Sequence, residues 1–255
     1  MQLLAIDIEN AEISVGLFSG EELVSVWKLG TGSRSADEYF LLIRALVSDV
    51  TDTPIDAIAI ASVVPDVLVR MLDSAEKLAI APALVIGPGI KTGLSMQVDH
   101  PREVGADRVV NAVAAKAMYG SPVIVVDSGA ATTIDVVGRD GSFLGGSIAP
   151  GIEGGLDSMV SSTAALRRVE LVPPKSAVGK TTVEAMQSGL VFGYVAMVDG
   201  LVARIVAEMR LGDAPRVATG HMAHVIAELA SEVTHVEAAL TLRGLKLVYD
   251  RSLSQ

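Results

Sequence analysis

The hydrophobic pattern of the chain is laid out twice. Residues 3–6 form an unbroken apolar run, followed by the acidic turn Asp7-Ile8-Glu9-Asn10-Ala11 and an alternating stretch at 13–18. Residues 123–126 form a second apolar run, followed by Asp127-Ser128-Gly129-Ala130-Ala131-Thr132-Thr133 and strand-like residues at 134–137. A buried strand, a tight acidic turn and a second strand account for both segments. The first copy extends into a β-meander, with strands at 3–8, 13–18 and 23–29. A helix follows at 36–48, with Asp37 and Glu38 in its first turn, where they suit the helix dipole. The pattern continues with a short buried strand at 58–62, a helix at 65–78 with Pro65 near its start, and a strand at 84–86. A helix is expected over 101–118, with Val104, Val109, Val113 and Ala117 on its apolar face.

Tyr119-Gly120-Ser121-Pro122 breaks the chain and the meander restarts. Strands are expected at 123–127, 134–137 and 142–148, then a Gly-rich loop at 149–155, helices, a strand at 217–219 and a closing helix at 241–248. The expected organisation is therefore α/β, with two ribonuclease H-like lobes, 1–118 and 119–255, and a nucleotide cleft between them.

Composition narrows the partners. Half the residues are hydrophobic, mean hydropathy is +0.49 and aromatics are few, so Val, Ile, Leu and Ala must build the core. Such a core favours sheets buried between helices. A net charge of -10 argues against a nucleic-acid partner. With no cysteine, disulfides and thiolate chemistry are excluded. The weakly charged stretch near 185–198 is flanked by Glu184 and Asp199, and is too short for the roughly 20 apolar residues of a membrane span. The sequence thus reads as a soluble, cytoplasmic protein with no membrane partner.

Two apparent nucleotide motifs fail. Gly179-Lys180-Thr181 lacks the P-loop glycine five residues earlier, where Pro174 stands, and Gly87-Pro88-Gly89-Ile90-Lys91-Thr92-Gly93 has the wrong spacing for a dinucleotide fingerprint. Gly105-Ala106-Asp107-Arg108 is more informative. An acid and a base lie side by side near the start of a helix, where backbone N–H groups favour anions. Asp107 is suited to take a proton from a hydroxyl and Arg108 to hold a carboxylate or phosphate; a solvated ion pair accounts for the same residues. Asp127 reads either as a turn-former or as an organiser of a cation and nucleotide phosphates. His100, His221, His224 and His235 show no ligand spacing. Gly189, Gly193 and Gly200 on one helix permit close backbone approach, within the chain or from a second subunit.

Collected in order, these segments resemble the type III pantothenate kinases, of the actin, sugar-kinase and heat-shock ATPase superfamily. The resemblance spans nearly the whole chain. It rests on Asp7-x-x-Asn10, Pro101-Arg102-Glu103-Val104-Gly105-Ala106-Asp107-Arg108, Val126-Asp127-x-Gly129 and Leu144-Gly145-Gly146-x-Ile148-Ala149-Pro150-Gly151. Further support comes from Val178-Gly179-Lys180-x-Thr182-Val183-Glu184-Ala185-Met186-Gln187-Ser188-Gly189 and Ala218-Thr219-Gly220. The family transfers the γ-phosphoryl of ATP to the primary hydroxyl of pantothenate, giving 4'-phosphopantothenate, the first step towards coenzyme A. The resemblance implies Asp107 as general base. Gly105, Ala106, Asp107, Arg108 and Thr182 are implied as the pantothenate site, Thr182 in part across a homodimer interface. It also implies Asp7, Ile8, Glu9, Asn10, Ala11, Glu12 and Ala130 as the ATP site, with Asp7 and Asn10 organising phosphates and Mg²⁺. Asp127 is implied as the ligand of a monovalent cation, K⁺ or NH₄⁺.

The nucleotide side departs from the family pattern. Glu9 and Ala11 replace the usual Gly and Thr of Asp-x-Gly-Asn-Thr, Ala130 replaces a Thr, and Val98 stands where many members have Tyr. A carboxylate about 4 Å from ATP costs on the order of 4 kcal/mol at an effective dielectric of ~20. If it holds a divalent ion or faces solvent, the cost is small. These changes lead to an expectation of weakened ATP affinity. They also leave an alternative: a catalytically weak or silent relative that binds pantothenate, nucleotide or a partner in a regulatory role.

Overall fold

The computed structural model describes residues 1–253 other than Pro88 and Ala164, so Pro88 of the rejected dinucleotide segment lies outside the described residues. The chain divides into two compact units, Met1–Met118 with Ala239–Gln255, and Tyr119–Ala238. Each is built on a five-stranded sheet.

In the first unit the strands are β1 (Gln2–Ile8), β2 (Glu12–Ser19), β3 (Glu22–Gly30), β4 (Ala57–Ser62) and β5 (Leu84–Val85), in the order β3-β2-β1-β4-β5. β1 runs antiparallel to β2 and parallel to β4. Its side chains alternate between two cores. Leu4, Ile6 and Ile8 pack with α1 (Ala36–Ser48) and α2 (Pro65–Leu78), and Leu3 and Ala5 pack on the other face with Val110, Leu242 and Leu245. Burial on both faces explains why the run reads as continuously apolar rather than alternating. α1 is started by a capping box, in which Ser35 and Glu38 each bond the other's backbone N–H.

The second unit repeats the plan. Its strands are β6 (Val123–Ser128), β7 (Ala131–Val137), β8 (Phe143–Pro150), β9 (Arg216–Thr219) and β10 (His235–Val236), ordered β10-β9-β6-β7-β8. Read from the other edge, this is the strand order of the first sheet. One face carries α4 (Ile152–Ser162), α5 (Thr182–Gln187), α6 (Gly193–Met209) and α7 (Ala223–Leu229), packed on Ile124, Val126, Ile134 and Val136.

Four expectations are corrected. Residues 239–255 fall in the first unit, not the second. The closing helix, α8 (Leu240–Leu253), packs Leu242, Leu245 and Val248 onto the first sheet. Gly244 permits that docking, since a Cβ there would lie 2.1 Å from the carbonyl oxygen of Val110. The buried Lys246 reinforces it by donating to Glu21 at 3.0 Å and to Asp250.

The helix expected over 101–118 is a 3₁₀ turn (Pro101–Glu103), a break at Val104-Gly105, and α3 (Ala106–Tyr119). Its buried face is Val110, Asn111, Ala114 and Ala115, whereas Ala117 is exposed. The Gly-rich loop at 149–155 shrinks to Gly151, the N-cap of α4.

Finally, α5, a π-helical turn (Ser188–Phe192) and α6 form one helix of 28 residues, Thr182–Met209, long and apolar enough by length and composition to cross a membrane. The flanking acids do not end it. Glu184 caps its first turn, and Asp199 accepts bonds from the Ser231 and Glu232 backbone N–H groups at 2.9 and 3.0 Å. One face of this helix is buried in the core of the second unit.

Candidate active site

In each sheet an aspartate occupies the penultimate position of the central strand. Asp7 pairs with Ser14 and Ala61, and Asp127 pairs with Thr133 and Thr219. Both are nearly buried, at 4% and 6% exposure. A carboxylate at a strand end beside a tight turn is held by backbone on both sides and keeps its position with little entropic freedom.

In the first unit, strand alternation puts Asp7 on the side of the sheet that faces α3, with Leu3 and Ala5, and puts Ile8 on the opposite side among the core residues. The Ile8 side chain therefore stays in the core. Only its backbone is left for a ligand, and its carbonyl already accepts from Val63 N–H at 3.1 Å. The turn is closed by Glu9 N–H donating to the Glu12 carbonyl at 2.9 Å. Thr31, which sequence reasoning passed over, pins it from β3: its hydroxyl donates to the Glu9 carbonyl at 2.7 Å and its N–H to that of Ala11 at 3.0 Å. Asn10 and Ala11 are exposed at the tip, and Glu12 turns aside to an ion pair with Lys28.

Glu9 is half-buried rather than fully solvated. Its pKa is pushed up to about 6, first by burial and then by the negative charges of Asp107 and Glu12, which outweigh Lys28. The first turn and the start of α3 thus share one electrostatic environment. Ala106, Asp107 and Arg108 occupy the first turn of α3 and are half-buried. The carboxylate of Asp107 folds back over Gly105, where a Cβ would sit 2.3 Å from its Oδ1, so a larger residue there would push the carboxylate out of this position. Oδ1 is buried, and among the described residues no group donates to it.

In the second unit, the β6–β7 turn exposes Ala130. Its carbonyls rest on Gly151, where a Cβ would lie 2.4 Å from the Ala130 oxygen and 2.7 Å from that of Gly129. Behind it, Ser128 Oγ donates to the Thr219 carbonyl at 2.9 Å. Gly220 follows at φ +88°, and a Cβ on it would meet Asp127 Oδ1 at 2.6 Å and the Ser128 carbonyl oxygen at 2.7 Å. Two oxygens are therefore turned towards the same bare glycine face, a donor set of the hard type that suits an alkali or alkaline-earth cation. Tyr194, also not anticipated from sequence, brings its phenol to Thr132 Oγ1 at 2.6 Å.

Thr182 lies elsewhere in this unit. It is the exposed first residue of α5, twelve residues before Tyr194 on the same helix, about 18 Å at a rise of ~1.5 Å per residue. The P-loop-like Gly179-Lys180-Thr181 caps this helix: Lys180 and Thr181 N–H groups donate to Glu184 at 2.8 and 3.1 Å. His221 approaches Glu153 at 3.8 Å, and no three His, Asp or Glu side chains gather as a metal-holding group among the described residues.

The comparisons with known proteins decide the family. The sequence pattern of the type III pantothenate kinases matches residues 3–204. The chain is 46% identical to the type III pantothenate kinase of Rhodococcus erythropolis, over 98% of this chain and 95% of that one. The Streptomyces coelicolor enzyme of the same name is 43% identical over 99% of both. The chain belongs to the type III pantothenate kinase family. Solved structures at low identity support the fold alone. A Campylobacter jejuni protein described as a conserved putative Baf family transcriptional activator gives a TM-score of 0.62 at 18% identity, covering 99% of this chain and 100% of that one. A Thermus thermophilus ROK hexokinase gives 0.52 at 13%, covering 99% and 100%. For a type III pantothenate kinase the two-sheet architecture is that of the actin-like ATPases and sugar kinases, as the sequence implied.

Proposed function

We propose that Asp107 is the general base in the ATP-dependent phosphorylation of pantothenate, the reaction that family membership gives this chain and the first step of coenzyme A biosynthesis. The observation that carries the assignment is the buried Oδ1 of Asp107, to which no described residue donates. A buried acceptor without a donor is costly unless a ligand supplies one, and a primary hydroxyl does so while presenting its proton for transfer. Arg108, next on the same helix turn, is suited to the pantothenate carboxylate, and Gly105 leaves the room Asp107 needs.

ATP and a divalent metal belong to the family's chemistry. Mg²⁺ is commonly held by one or two carboxylates plus phosphate oxygens, which matches the single strand-end carboxylate of Asp7. Asn10 and the backbone of the first turn are suited to phosphate oxygens, and Ala130 of the second turn is read as an ATP contact in its own unit. Bound cations neutralise phosphate charge, and phosphoryl transfer depends mainly on such positioning and neutralisation. For Asp127 we infer a monovalent cation, K⁺ or NH₄⁺, supported by the two oxygens converging at Gly220. The charges of Glu9 and Asp107 act on each other, so a divalent ion held by Asp7 would offset the charge that Glu9 adds to the first turn.

The assembly we infer is a cytoplasmic homodimer. Along the 28-residue helix, Gly189, Gly193, Ala196, Gly200 and Ala203 recur at alternating steps of four and three residues and are all exposed. A Cβ on any of the three glycines would meet nothing within 4 Å. Such a strip admits a second helix at close range and gives Thr182 a route to a partner's substrate. In sedimentation velocity the chain is expected to run as a dimer and Gly193→Arg as a monomer; a monomeric wild type at micromolar concentration would remove this assignment.

For the base, Asp107→Asn is expected to lower kcat by about 10²–10⁴. Its melting temperature should stay equal or rise, because the substitution removes a negative charge facing Glu9. Undiminished turnover in the folded variant would rule out Asp107.

A further inference from the structure

The long helix of the second unit holds one polar group in its buried face. Tyr194 is 7% exposed and packs among Ile134, Val191 and Val198 in the core. A phenylalanine would fill that space without requiring a hydrogen bond in the interior. Instead the phenol lies 2.6 Å from the hydroxyl of Thr132, itself fully buried. Thr132 has one proton, directed at the Pro150 carbonyl at 3.4 Å, so the phenol is the donor in the shorter bond. Burial pushes the phenol pKa up, the bond to Thr132 pulls it partly back and the charge of Asp127 raises it again, so the net shift is upward and the phenol stays protonated.

Thr132 pairs directly with Ser128, and these two residues close the β6–β7 turn. Pro150 precedes Gly151, on which the turn carbonyls rest. A chain of two hydrogen bonds therefore runs from the helix, through Thr132, to the strand end that seats the turn. The π-helical turn ends at Phe192, two residues before Tyr194. Such a turn carries an extra residue and rotates the following helix face, and it recurs at functional sites.

We propose that Tyr194 is a positioning residue for the β6–β7 turn: its phenol, aimed by the π-helical turn and bonded to Thr132, fixes the turn that presents Asp127 to its cation and Ala130 to ATP. This rests on the reading of that turn as the cation and nucleotide side of the kinase. It places the effect on ATP and potassium rather than on pantothenate.

The test uses the full-length enzyme. The potassium concentration giving half-maximal thermal stabilisation, against sodium at equal ionic strength, is measured with ATP and Mg²⁺ present, alongside KM for each substrate. Tyr194→Phe is expected to raise the potassium midpoint and KM for ATP about five- to tenfold, the size of one lost hydrogen bond. KM for pantothenate should stay within about twofold, since neither hydrogen bond involves Gly105, Ala106, Asp107, Arg108 or Thr182. Thr132→Val should reproduce the effect, and Thr132→Ser, which keeps the hydroxyl, should retain wild-type constants.

Tyr194→Phe with unchanged potassium and ATP constants, losing only melting temperature equally in both salts, would overturn the proposal while leaving the cation reading standing. A wild type indifferent to potassium would sink the cation reading instead. The positioning role would then stand or fall on KM for ATP alone.

Discussion

The two hairpins of this chain share a backbone and differ in what surrounds it. In both, the central strand ends with an aspartate one residue before the last cross-strand pair, flanked by an antiparallel partner and a parallel one. In the first, the turn bears Glu9, and the charges that raise its pKa belong to Asp107 and Glu12. In the second, the turn is Gly129-Ala130, packed on Gly151, with the carboxylate of Asp127 against Gly220 and a buried phenol bracing the next strand. The first turn gathers negative charge, the setting in which we proposed a divalent ion. The second sets one carboxylate and a carbonyl oxygen against Gly220, the setting in which we proposed a monovalent one. The two hairpins thus differ both in the turn residues themselves, Glu9 against Gly129-Ala130, and in what packs around them, Asp107 against Gly220 and Tyr194.

The sharpest way to break the second half of this comparison is Gly220→Ala. At φ +88° an L-residue is strained by roughly 1–2 kcal/mol. The added Cβ would also lie 2.6 Å from the Asp127 carboxylate and 2.7 Å from the Ser128 carbonyl oxygen, so one of them must move. The expected result is a combined loss of about 2–4 kcal/mol of stability, read by denaturant unfolding, together with loss of any potassium-specific stabilisation. The same substitution at Gly189, where a Cβ meets nothing within 4 Å, should leave the fold unharmed and add a few tenths of a kcal/mol to more than half a kcal/mol of helix propensity. If Gly220→Ala binds potassium as the wild type does, the two oxygens are not its ligands.

Much of this comparison was legible in the sequence, and what was missed has a physical pattern. Periodicity and turn chemistry located both hairpins, α1 and α2, because these signals are local: the β1 and β6 runs are apolar on both faces, and Ser35 with Glu38 and Pro65 mark helix starts. The docking of α8 was not legible, since it depends on Gly244 meeting Val110, more than a hundred residues away in sequence. The break before α3 escaped because the apolar spacing of Val104, Val109 and Val113 runs across it, while Gly105 next to the Asp107 carboxylate is visible only in three dimensions. Tyr194 and Thr31 were passed over for a related reason. An aromatic in an apolar helix and a threonine after a strand are ordinary in sequence, and only their partners give them a role. Of the candidate site, the residues on the strand ends and on Gly105-Ala106-Asp107-Arg108 were named from sequence; the inward direction of the half-buried Glu9 was not.

That direction yields the subtlest prediction, which tests the first hairpin. The Glu9 carboxyl has its pKa raised in the folded chain from 4.5 to about 6, so the folded state holds its proton more tightly than the unfolded state does. The sign follows from linkage. Below pH 4.5 both states are protonated and the folded state keeps the full benefit. As pH rises through 4.5 to 6, the unfolded state ionises first and stability falls, reaching a deficit of about 2 kcal/mol above pH 6 at 1.36 kcal/mol per pKa unit. Glu9→Gln removes the titration. Without ATP and divalent metal, the variant should therefore be more stable than wild type by up to about 2 kcal/mol at pH 7, and the gap should close as pH falls towards 4.5. Melting curves across that range measure it. A constant gap at all pH values would mean that neither burial nor neighbouring charge raises the Glu9 pKa in the folded chain. A gap that Mg²⁺ with ATP abolishes at pH 7 would show that the charge burden of the first hairpin is what its cation offsets, the point on which the two hairpins differ.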